Sequence, residues 1–342
     1  MASIGQLLID WYEQAGRALP WRRDVSPYQI WLSEIILQQT RVAQGAAYFE
    51  RFRKAFPSVE ELAAAPEQAV LKQWEGLGYY SRAKNLHKAA KIITEEYGGK
   101  LPQRSVELQK LPGIGPYTAN AIASFAFGEH CAVVDGNVFR VLSRLENDPT
   151  PIDSSGSRKH FQAIADRWLG TLPAARFNHA IMDFGALLCT PKSPHCHRCP
   201  LQRHCKAYAA GSVLQRPVKE KSLRRGKRYF EFYWATRPGG QVAVVCRDDS
   251  SFWKNLYTLP WRELPHFKQP PQAGQLSVSL KHEFSHFTMC LRLVVEPGEQ
   301  GLPASPELQW HSPAAIHNQL PMPRAMYRLL EAWENEPQAL NF

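Results

Sequence analysis

Four of the seven cysteines in this 342-residue chain lie within 17 residues of one another. They are Cys189, Cys196, Cys199 and Cys205. A structural zinc site more often combines two C-x2-C pairs or adds histidines, whereas a [4Fe–4S] cluster accepts four cysteines at irregular spacing. The spacing C-x6-C-x2-C-x5-C therefore favours an iron–sulfur cluster. Zinc stays open as the alternative because His195, His197 and His204 are close in sequence.

Two acidic residues stand where a carboxyl group can do acid–base chemistry. Glu34 lies beside the apolar stripe of a helix predicted to begin at Ser26 and Pro27. Apolar surroundings raise the pKa of a carboxyl group, which suits a general acid near neutral pH; the alternative is a solvated carboxylate at the edge of the stripe. Asp135 directly precedes another predicted helix, where aspartate is also typical as an N-cap.

A glycine-rich turn, LPGIGPYTA at residues 111–119, connects two predicted helices. Gly113 and Gly115 permit positive φ and the close approach of a ligand to the backbone. The N–H groups of such a turn, and of the helix that follows it, can bind a phosphate. The turn therefore predicts DNA binding, although it is also a common connection between helices.

Composition points to an anionic partner. The net charge of +10 and the isoelectric point near 9.3 favour nucleic acid. The first residues do not resemble a secretory signal, and no apolar run approaches the length of a transmembrane helix. We therefore expect a cytoplasmic, nucleoid-associated protein with no membrane partner, and a monomer by default.

The elements that must position these residues divide into two kinds. Up to about residue 205 the pattern is helical, with helices predicted over 45–56, 67–76, 81–97 and 177–188. A charged stretch follows, and then strands are predicted over 229–236, 241–247, 275–281 and 288–295, with helices over 314–318 and 323–334. The sequence thus predicts an all-α domain over 1–206, a linker over 207–228 and an α+β domain over 229–342.

Together these motifs resemble the helix–hairpin–helix glycosylase superfamily, and within it the adenine DNA glycosylases of the MutY type. The resemblance is carried by LPWR at 19–22, WLSE at 31–34, LQQTR at 37–41, GLGYYSR at 76–82, the glycine turn, VDGNV at 134–138 and the cysteines. It implies a six-helix barrel with a cluster module, followed by a smaller Nudix-like domain. It also identifies the metal centre as [4Fe–4S].

The resemblance assigns the chemistry. The substrate would be double-stranded DNA with an A·8-oxoguanine or A·G mispair, whose adenine is extruded into the protein. Glu34 would protonate that adenine, Asp135 would stabilise the oxocarbenium-like sugar, and Asn137 would support Asp135. Tyr117 stands where related endonuclease III enzymes have a lysine. Because a phenol cannot form a Schiff base, a monofunctional glycosylase is expected.

The resemblance also implies two sets of binding residues. Those expected to contact the mispair or the DNA backbone are Gln39, Thr40, Leu77, Gly78, Tyr79, Gly113, Gly115, Phe284, Ser285 and His286, with Gln39 and Tyr79 as wedges in the base stack. The adenine pocket is expected to contain Leu19, Trp21, Arg22 and His179. His179 departs from the family pattern, which often has Gln or Glu there; a neutral imidazole still offers one hydrogen bond.

Three alternative functions can be weighed. A pyrimidine-lesion glycosylase with lyase activity is disfavoured by Tyr117 and by the whole C-terminal half. A non-catalytic iron–sulfur DNA-binding protein is disfavoured because both Glu34 and Asp135 are present. A nucleotide-pool hydrolase is disfavoured because the C-terminal half has no REx2EE-type acidic signature.

Overall fold

The computed structural model describes residues 3–23, 26–220, 226–248, 252–267, 277–284, 286–296, 301–303 and 308–335. The chain divides into two compact units. The first, here the helical unit, comprises Met1–Ala63 and Lys88–Ser222; the second, here the mixed unit, comprises Ala64–His87 and Leu223–Phe342. The grouping of residues 64–87 with the C-terminal part was not expected from the sequence.

The N-terminal two thirds of the chain are helical, as predicted. The helices are α1 Ile4–Ala15, α2 Pro20–Arg23, α3 Pro27–Leu37, α4 Val42–Ala55, α5 Val59–Ala64, α6 Glu67–Trp74, α7 Ser81–Tyr97, α8 Ser105–Leu108, α9 Pro116–Phe127, α10 Gly136–Leu145, α11 Ser157–Leu169, α12 Ala174–Leu187 and α13 Lys206–Ala209. The four predicted helices correspond to α4, α6, α7 and α12. Helix α3 begins with Pro27 after an N-cap at Ser26, which confirms that prediction.

The core of the helical unit forms where α12 packs against α1 and α10. Fully buried aromatic rings from α11 and α12, Phe161, Phe177 and Phe184, lie at its centre. Helix α12 approaches the start of α10 very closely at Gly185. A Cβ atom added to Gly185 would lie only 2.8 Å from the Cβ of Asn137. This approach brings Asp135, the N-cap residue of α10, next to α12.

The glycine turn connects α8 and α9, as predicted for a helix–hairpin–helix. Gly113 has φ of 79°, a value that L side chains rarely adopt. Gly115 is the extended N-cap residue of α9, and Pro116 opens the helix. Neither the Gly113 nor the Gly115 N–H donates to another residue in the described ranges, so both are available to a ligand.

The mixed unit is built on a mixed sheet. Its described strands are β1 Gly226–Arg237, β2 Gln241–Cys246, β3 Tyr257–Thr258, β4 Trp261–Leu264, β5 Ser277–Glu283, β6 Phe287–Glu296 and β7 Leu308–His311. The order is β3-β2-β1-β6-β5, with β4 also paired to β1 and β7 to β2. β1 and β6 are parallel, in a register that sets Phe230 opposite Leu291, and the other pairs are antiparallel.

Two helices follow the last strand, α14 Pro313–Asn318 and α15 Arg324–Glu334, and α15 packs on β5 and β6. The predicted strands correspond to β1, β2, β5 and β6. The strands β3, β4 and β7 were not predicted because two to four residues are too few for an alternating pattern. Secondary structure also extends into both ends of the predicted linker, since α13 ends at Ala209 and β1 begins at Gly226.

In the described part of the chain, no helix combines the length and the apolar character needed to span a bilayer.

Candidate active site

Glu34 is buried in helix α3, with 7% of its surface exposed, so the solvated alternative is wrong. The Tyr117 hydroxyl, from the first turn of α9, donates a hydrogen bond of 3.1 Å to Glu34 Oε2. Burial raises the pKa of Glu34 to about 7; the tyrosine hydrogen bond opposes this rise and the nearby charge of Asp135 adds to it. Glu34 therefore holds a proton in a substantial fraction of molecules at neutral pH.

Asp135 is the N-cap of α10, which confirms that interpretation, but its carboxylate also faces the site. Its Oδ1 accepts from the Val138 N–H at 2.7 Å, and its Oδ2 accepts from the side-chain amide of Asn137 at 2.8 Å. Burial raises the pKa of Asp135, against these hydrogen bonds, which favour the charged form. The cap and a catalytic role are compatible.

A chain of hydrogen bonds runs from Asp135 toward the cysteines. Asn137 Oδ1 accepts from Arg140 Nη2 at 2.9 Å. The same guanidinium donates to the carbonyl of Gly185 at 2.7 Å and to that of Cys189 at 2.8 Å. Arg140 thus fixes the amide that orients Asp135, and it connects this amide to the backbone of the first cysteine.

Two cavities of the helical unit meet at these carboxylates. The first has a volume of about 440 Å³, within the usual range for small-molecule sites. Among its lining residues are Leu19, Trp21, Arg22, Glu34, Thr40, Tyr117, Phe125, Asp135, Asn137 and His179. The second, of about 480 Å³, shares Glu34, Tyr117 and Asp135 with the first, and it is also lined by Gln38 and Gln39. The acid and the second carboxylate therefore lie between two adjoining spaces.

His179 forms one face of the first cavity. Its ring stacks on Phe125, with centroids 4.1 Å apart and an angle of 15° between the planes. Burial, together with the nearby charge of Arg22, lowers the pKa of His179 to about 3. Its ring nitrogens form no hydrogen bond with the residues described, so a neutral imidazole is available to a ligand.

Arg22 is held in place by a buried carboxylate, Asp183 on α12. The two nitrogens Nη1 and Nη2 of Arg22 donate to Asp183 at 2.8 and 3.0 Å, and Arg17 donates through its backbone N–H at 2.9 Å and through its guanidinium. Burial alone would raise the pKa of Asp183, but the hydrogen bonds from Arg22 and Arg17 outweigh it and lower the pKa to about 2. The side of the cavity next to His179 is thus rigidly built.

The four clustered cysteines line one small cavity with an apolar surface, together with Leu145, Phe184 and Leu188. Burial, with the charges of the other three thiols, raises the pKa of Cys199 to about 12. The four thiols thus share one apolar space, and four cysteine thiolates are the usual ligand set of a [4Fe–4S] cluster. The donor set therefore fits the cluster.

Arg144 secures the start of this cysteine loop from α10 and is almost completely buried. Its guanidinium donates to the Cys189 sulfur at 3.3 Å, to the Thr190 carbonyl at 2.7 Å and to the Pro191 carbonyl at 2.9 Å. A charged donor bonded to three consecutive residues fixes their path.

The predicted mispair residues of the helical unit follow α3. Gln39 is exposed and has φ of 55°, a left-handed value. Thr40 lines the first cavity, and its hydroxyl donates to the Gln38 carbonyl at 3.4 Å.

In the mixed unit the predicted loop between α6 and α7 carries an exposed ring. Tyr79 is 49% exposed and has φ of 48°, and Gly78 before it has φ of 76°. Leu77 is buried, so a contact with DNA would need this side chain to become accessible.

The other predicted element of the mixed unit is the connection between β5 and β6. The Phe284 N–H donates to the Phe287 carbonyl at 2.9 Å, and the two rings stack 4.5 Å apart. His286 is exposed. Ser285 lies outside the described residues.

Comparisons with known proteins agree with this architecture. Residues 32–166 match the HhH-GPD superfamily of base excision DNA repair proteins, residues 189–205 match the iron–sulfur binding domain of endonuclease III, and residues 232–332 match the NUDIX domain. The chain is 34% identical over 299 residues to the adenine DNA glycosylase of Buchnera aphidicola subsp. Schizaphis graminum, across 84% of this chain and 85% of that protein. The chain belongs to the adenine DNA glycosylase family.

Other matches cover less of the chain. The chain is 41% identical to the human adenine DNA glycosylase over 228 residues, which cover 64% of this chain and 41% of the human protein. A solved thermostable thymine-DNA glycosylase is 27% identical and covers 60% of this chain and 95% of its own, with a TM-score of 0.56.

Family membership makes the chain a DNA-repair glycosylase that carries a [4Fe–4S] cluster, and it confirms the predicted fold class. The iron–sulfur match begins at Cys189 and ends at Cys205.

Sequence reasoning missed several residues that build the site: Arg17, Phe125, Arg140, Arg144 and Asp183. Asp183 had a detectable signal, because it interrupts an apolar run in a predicted helix. The two arginines of α10 had none, since basic residues on a helix are usually solvated.

Proposed function

We propose that this glycosylase hydrolyses the N-glycosidic bond of adenine paired with 8-oxoguanine in double-stranded DNA, and acts more slowly on adenine paired with guanine. The observation that carries the proposal is the pair of carboxyl groups on one cavity, with the pKa of Glu34 raised to about 7 by burial and Asp135 held by two hydrogen bonds. One carboxyl group can donate a proton to the leaving base while the other, as a carboxylate, stabilises positive charge on the sugar, as in glycoside hydrolysis.

In this mechanism the adenine leaves the base stack and enters the first cavity. Glu34 protonates the base, which becomes a better leaving group, and the resulting carboxylate then helps to activate the attacking water. Asp135 stabilises the oxocarbenium-like sugar, and Asn137 holds Asp135 in position. The pocket is formed by Leu19, Trp21, Arg22 and His179.

Tyr117 makes the enzyme monofunctional. Its phenol cannot attack the sugar to form a Schiff base, and its hydroxyl is already bonded to Glu34. The product would be an abasic site in an intact strand, without lyase cleavage.

The remaining predicted residues would bind the DNA and the cluster. Gly113 and Gly115 would bind a phosphate. The 8-oxoguanine side of the mispair would be contacted by Gln39, Thr40, Leu77, Gly78, Tyr79, Phe284, Ser285 and His286. The cluster would be held by Cys189, Cys196, Cys199 and Cys205, and its binding would pin a basic loop beside the DNA. We also propose the predicted domain bounds of 1–206, 207–228 and 229–342, and a monomer acting on nucleoid DNA in the cytoplasm.

The test uses a labelled duplex with one A·8-oxoguanine pair, with and without hot alkali. Wild type should cut the adenine strand only after alkali, and Glu34→Gln should not cut it. Glu95→Gln on α7, an exposed glutamate of the same unit, is the matched control and should behave as wild type. Cleavage without alkali would contradict the assignment of Tyr117, and binding without any cleavage would contradict the proposed activity.

A further inference from the structure

The loop from Gly76 to Tyr80 includes one residue, Tyr79, in a conformation that its side chain disfavours. Gly76, Gly78 and Tyr79 all have positive φ, of 89°, 76° and 48°. A tyrosine in the left-handed region costs about 1 kcal/mol or more, and such residues persist only where their surroundings impose them. Local contacts contribute, since the Trp74 indole donates to the Gly78 carbonyl at 2.9 Å. The loop is also fixed from outside.

The C-terminal end of α6 is bonded to α14, to α15 and to the segment between them. Glu75 Oε1 accepts from the Met322 N–H at 2.8 Å and from the Tyr327 hydroxyl at 2.9 Å. Glu75 Oε2 accepts from Lys72 Nζ at 2.8 Å, and Lys72 donates in turn to the carbonyls of His317 at 2.6 Å and Leu320 at 3.0 Å. Both charged side chains are only 18% exposed, which strengthens these charge-assisted hydrogen bonds.

Tyr80 extends this contact into the loop itself. Its hydroxyl accepts from the Gly76 N–H at 3.3 Å and donates to the Met322 carbonyl at 3.1 Å. Met322 is therefore bonded through its N–H to Glu75, the residue before the loop, and through its carbonyl to Tyr80, the last residue of the loop.

The N-terminal end of α6 is bonded to a different part of the same unit. Glu67 Oε1 accepts from the Asn255 side-chain amide at 2.5 Å, and Gln68 donates to the Asn255 carbonyl at 3.3 Å. Two residues earlier, Trp253 packs its ring against Phe284, with centroids 5.8 Å apart. Helix α6 thus connects the Tyr79 loop to the turn that supports Phe284.

Lys72 and Glu75 bond the start of the Tyr79 loop to the region around α15, which packs on β5 and β6, the strands on either side of Phe284. We propose that Lys72 and Glu75 are positioning residues that hold the Tyr79 loop in fixed relation to Phe284, so that the two contact one base together. This rests on the proposed function of both elements in binding 8-oxoguanine. When two protein elements that contact the same base are already fixed relative to each other, binding costs less conformational entropy than when each element must be ordered separately. Their joint geometry then distinguishes 8-oxoguanine from guanine.

The test compares wild type with Glu75→Gln in the full-length protein with its cluster. Binding is measured to duplexes that pair a non-hydrolysable adenine analogue with 8-oxoguanine or with guanine. We expect Glu75→Gln to lose the preference for 8-oxoguanine by about tenfold, the effect of one lost charge-assisted hydrogen bond. The excision rate at saturating enzyme should fall by less than the affinity does. Glu331→Gln, an exposed glutamate on α15, should match wild type.

Amide hydrogen exchange gives a second measurement that does not depend on activity. Residues 76–80 should exchange faster in Glu75→Gln, while the strands β1 and β6 stay protected. If Glu75→Gln fails to fold, Tyr327→Phe removes one donor to the same carboxylate and should produce the same changes to a smaller extent. Unchanged exchange in residues 76–80, or an unchanged preference for 8-oxoguanine, would overturn the proposal.

A double-mutant cycle with Tyr79→Ala separates positioning from a general loss of stability. If Glu75 acts through Tyr79, the double variant should discriminate no worse than Tyr79→Ala alone. Additive losses would refute the proposal. A wild-type protein without any preference for 8-oxoguanine would instead refute the proposed function, so the two failures can be told apart.

Discussion

The candidate catalytic cavity of the helical unit and the candidate mispair surface of the mixed unit differ in burial and in backbone conformation. Glu34 and Asp135 are largely enclosed, on a helix and at a helix N-cap where the backbone is relaxed. Tyr79 is exposed on a backbone with positive φ. A carboxyl group that donates a proton near neutral pH needs a raised pKa, which burial provides. A side chain that enters a base stack must instead be exposed and project from the surface.

The two regions also differ in what their contacts hold. In the cavity the contacts hold single polar side chains: Tyr117 bonds to Glu34, Asn137 and the Val138 N–H to Asp135, and Arg22 to Asp183. At the Tyr79 loop, charged side chains bond to backbone groups of a distant segment, as Lys72 does. The first arrangement tunes individual groups, and the second fixes the path of a chain.

The largest expected effect concerns the acid. Replacing Glu34 by Gln removes the proton donor and should lower the single-turnover excision rate by about 10²- to 10⁴-fold, the usual contribution of general acid–base catalysis. Duplex affinity should change little, because the amide keeps the size of the side chain. The measurement is rapid-quench excision at saturating enzyme, with Glu95→Gln alongside. If Glu34→Gln lowered only the affinity for the duplex, Glu34 would bind DNA rather than transfer a proton. The cavity and the mispair surface would then not differ in function.

The second prediction concerns the buried charges around the cavity. Asp183→Asn leaves Arg17 and Arg22 without their counter-charge and should lower the free energy of unfolding by about 3–5 kcal/mol. The exposed pair of Glu13 and Arg176 is a matched control, with side chains 55% and 66% exposed. Glu13→Gln should cost less than about 1 kcal/mol. Urea titrations measure both, and equal effects would show that burial does not distinguish the two ion pairs.

The third prediction is that the acid lowers the stability of the fold at neutral and higher pH. The pKa of Glu34 is raised by burial from 4.5 to about 7 in the folded state. The folded protein therefore binds this proton more tightly than the unfolded chain, and stability from this group is lost as pH rises between these values. At pH 8 the free energy of unfolding of Glu34→Gln should therefore be larger than that of wild type by up to about 3 kcal/mol.

The same difference should vanish below about pH 4.5, where Glu34 is protonated in both states. Unfolding by denaturant at a series of pH values measures it, and Glu95→Gln should show no such trend. A wild type that is the more stable protein at pH 8 would indicate that the ionised form of Glu34 is well solvated, contrary to its burial.

Local signals in the sequence predicted much of the helical unit. Asp135 before α10, Pro27 at the start of α3 and the glycines of the turn act within a few residues, and so do the closely spaced cysteines. Asp183 could not be paired in advance, because its partner Arg17 is 166 residues away. Such contacts depend on how helices pack, which no local pattern encodes.

The mixed unit was harder to predict for the same reason. The strands β1 and β6 are long enough to show their pattern, but β3 has two residues. The assignment of residues 64–87 to this unit depends on contacts such as Glu75 with Met322, which are 247 residues apart. The family resemblance predicted Tyr79 as a mispair-binding residue, but the sequence did not predict the contacts that hold its loop in place.

The smallest effect tests the strain of the Tyr79 loop. No described atom lies within 4 Å of a Cβ built on Gly78, so Gly78→Ala meets no steric obstacle. Its φ of 76° nevertheless disfavours alanine, and we expect a loss of about 1 kcal/mol in the free energy of unfolding. Gly115→Ala is the matched control, since Gly115 also has open space but an ordinary φ of −85°.

Gly115→Ala should therefore leave stability nearly unchanged, or raise it slightly, because alanine restricts the unfolded chain. If both variants are equally stable in urea titrations, the loop relaxes at little cost, and Tyr79 would not need to be held by Lys72 and Glu75. If Gly78→Ala is clearly the less stable variant, the fold maintains the exposed loop against local backbone strain, whereas it maintains the candidate catalytic cavity against the cost of burying charge.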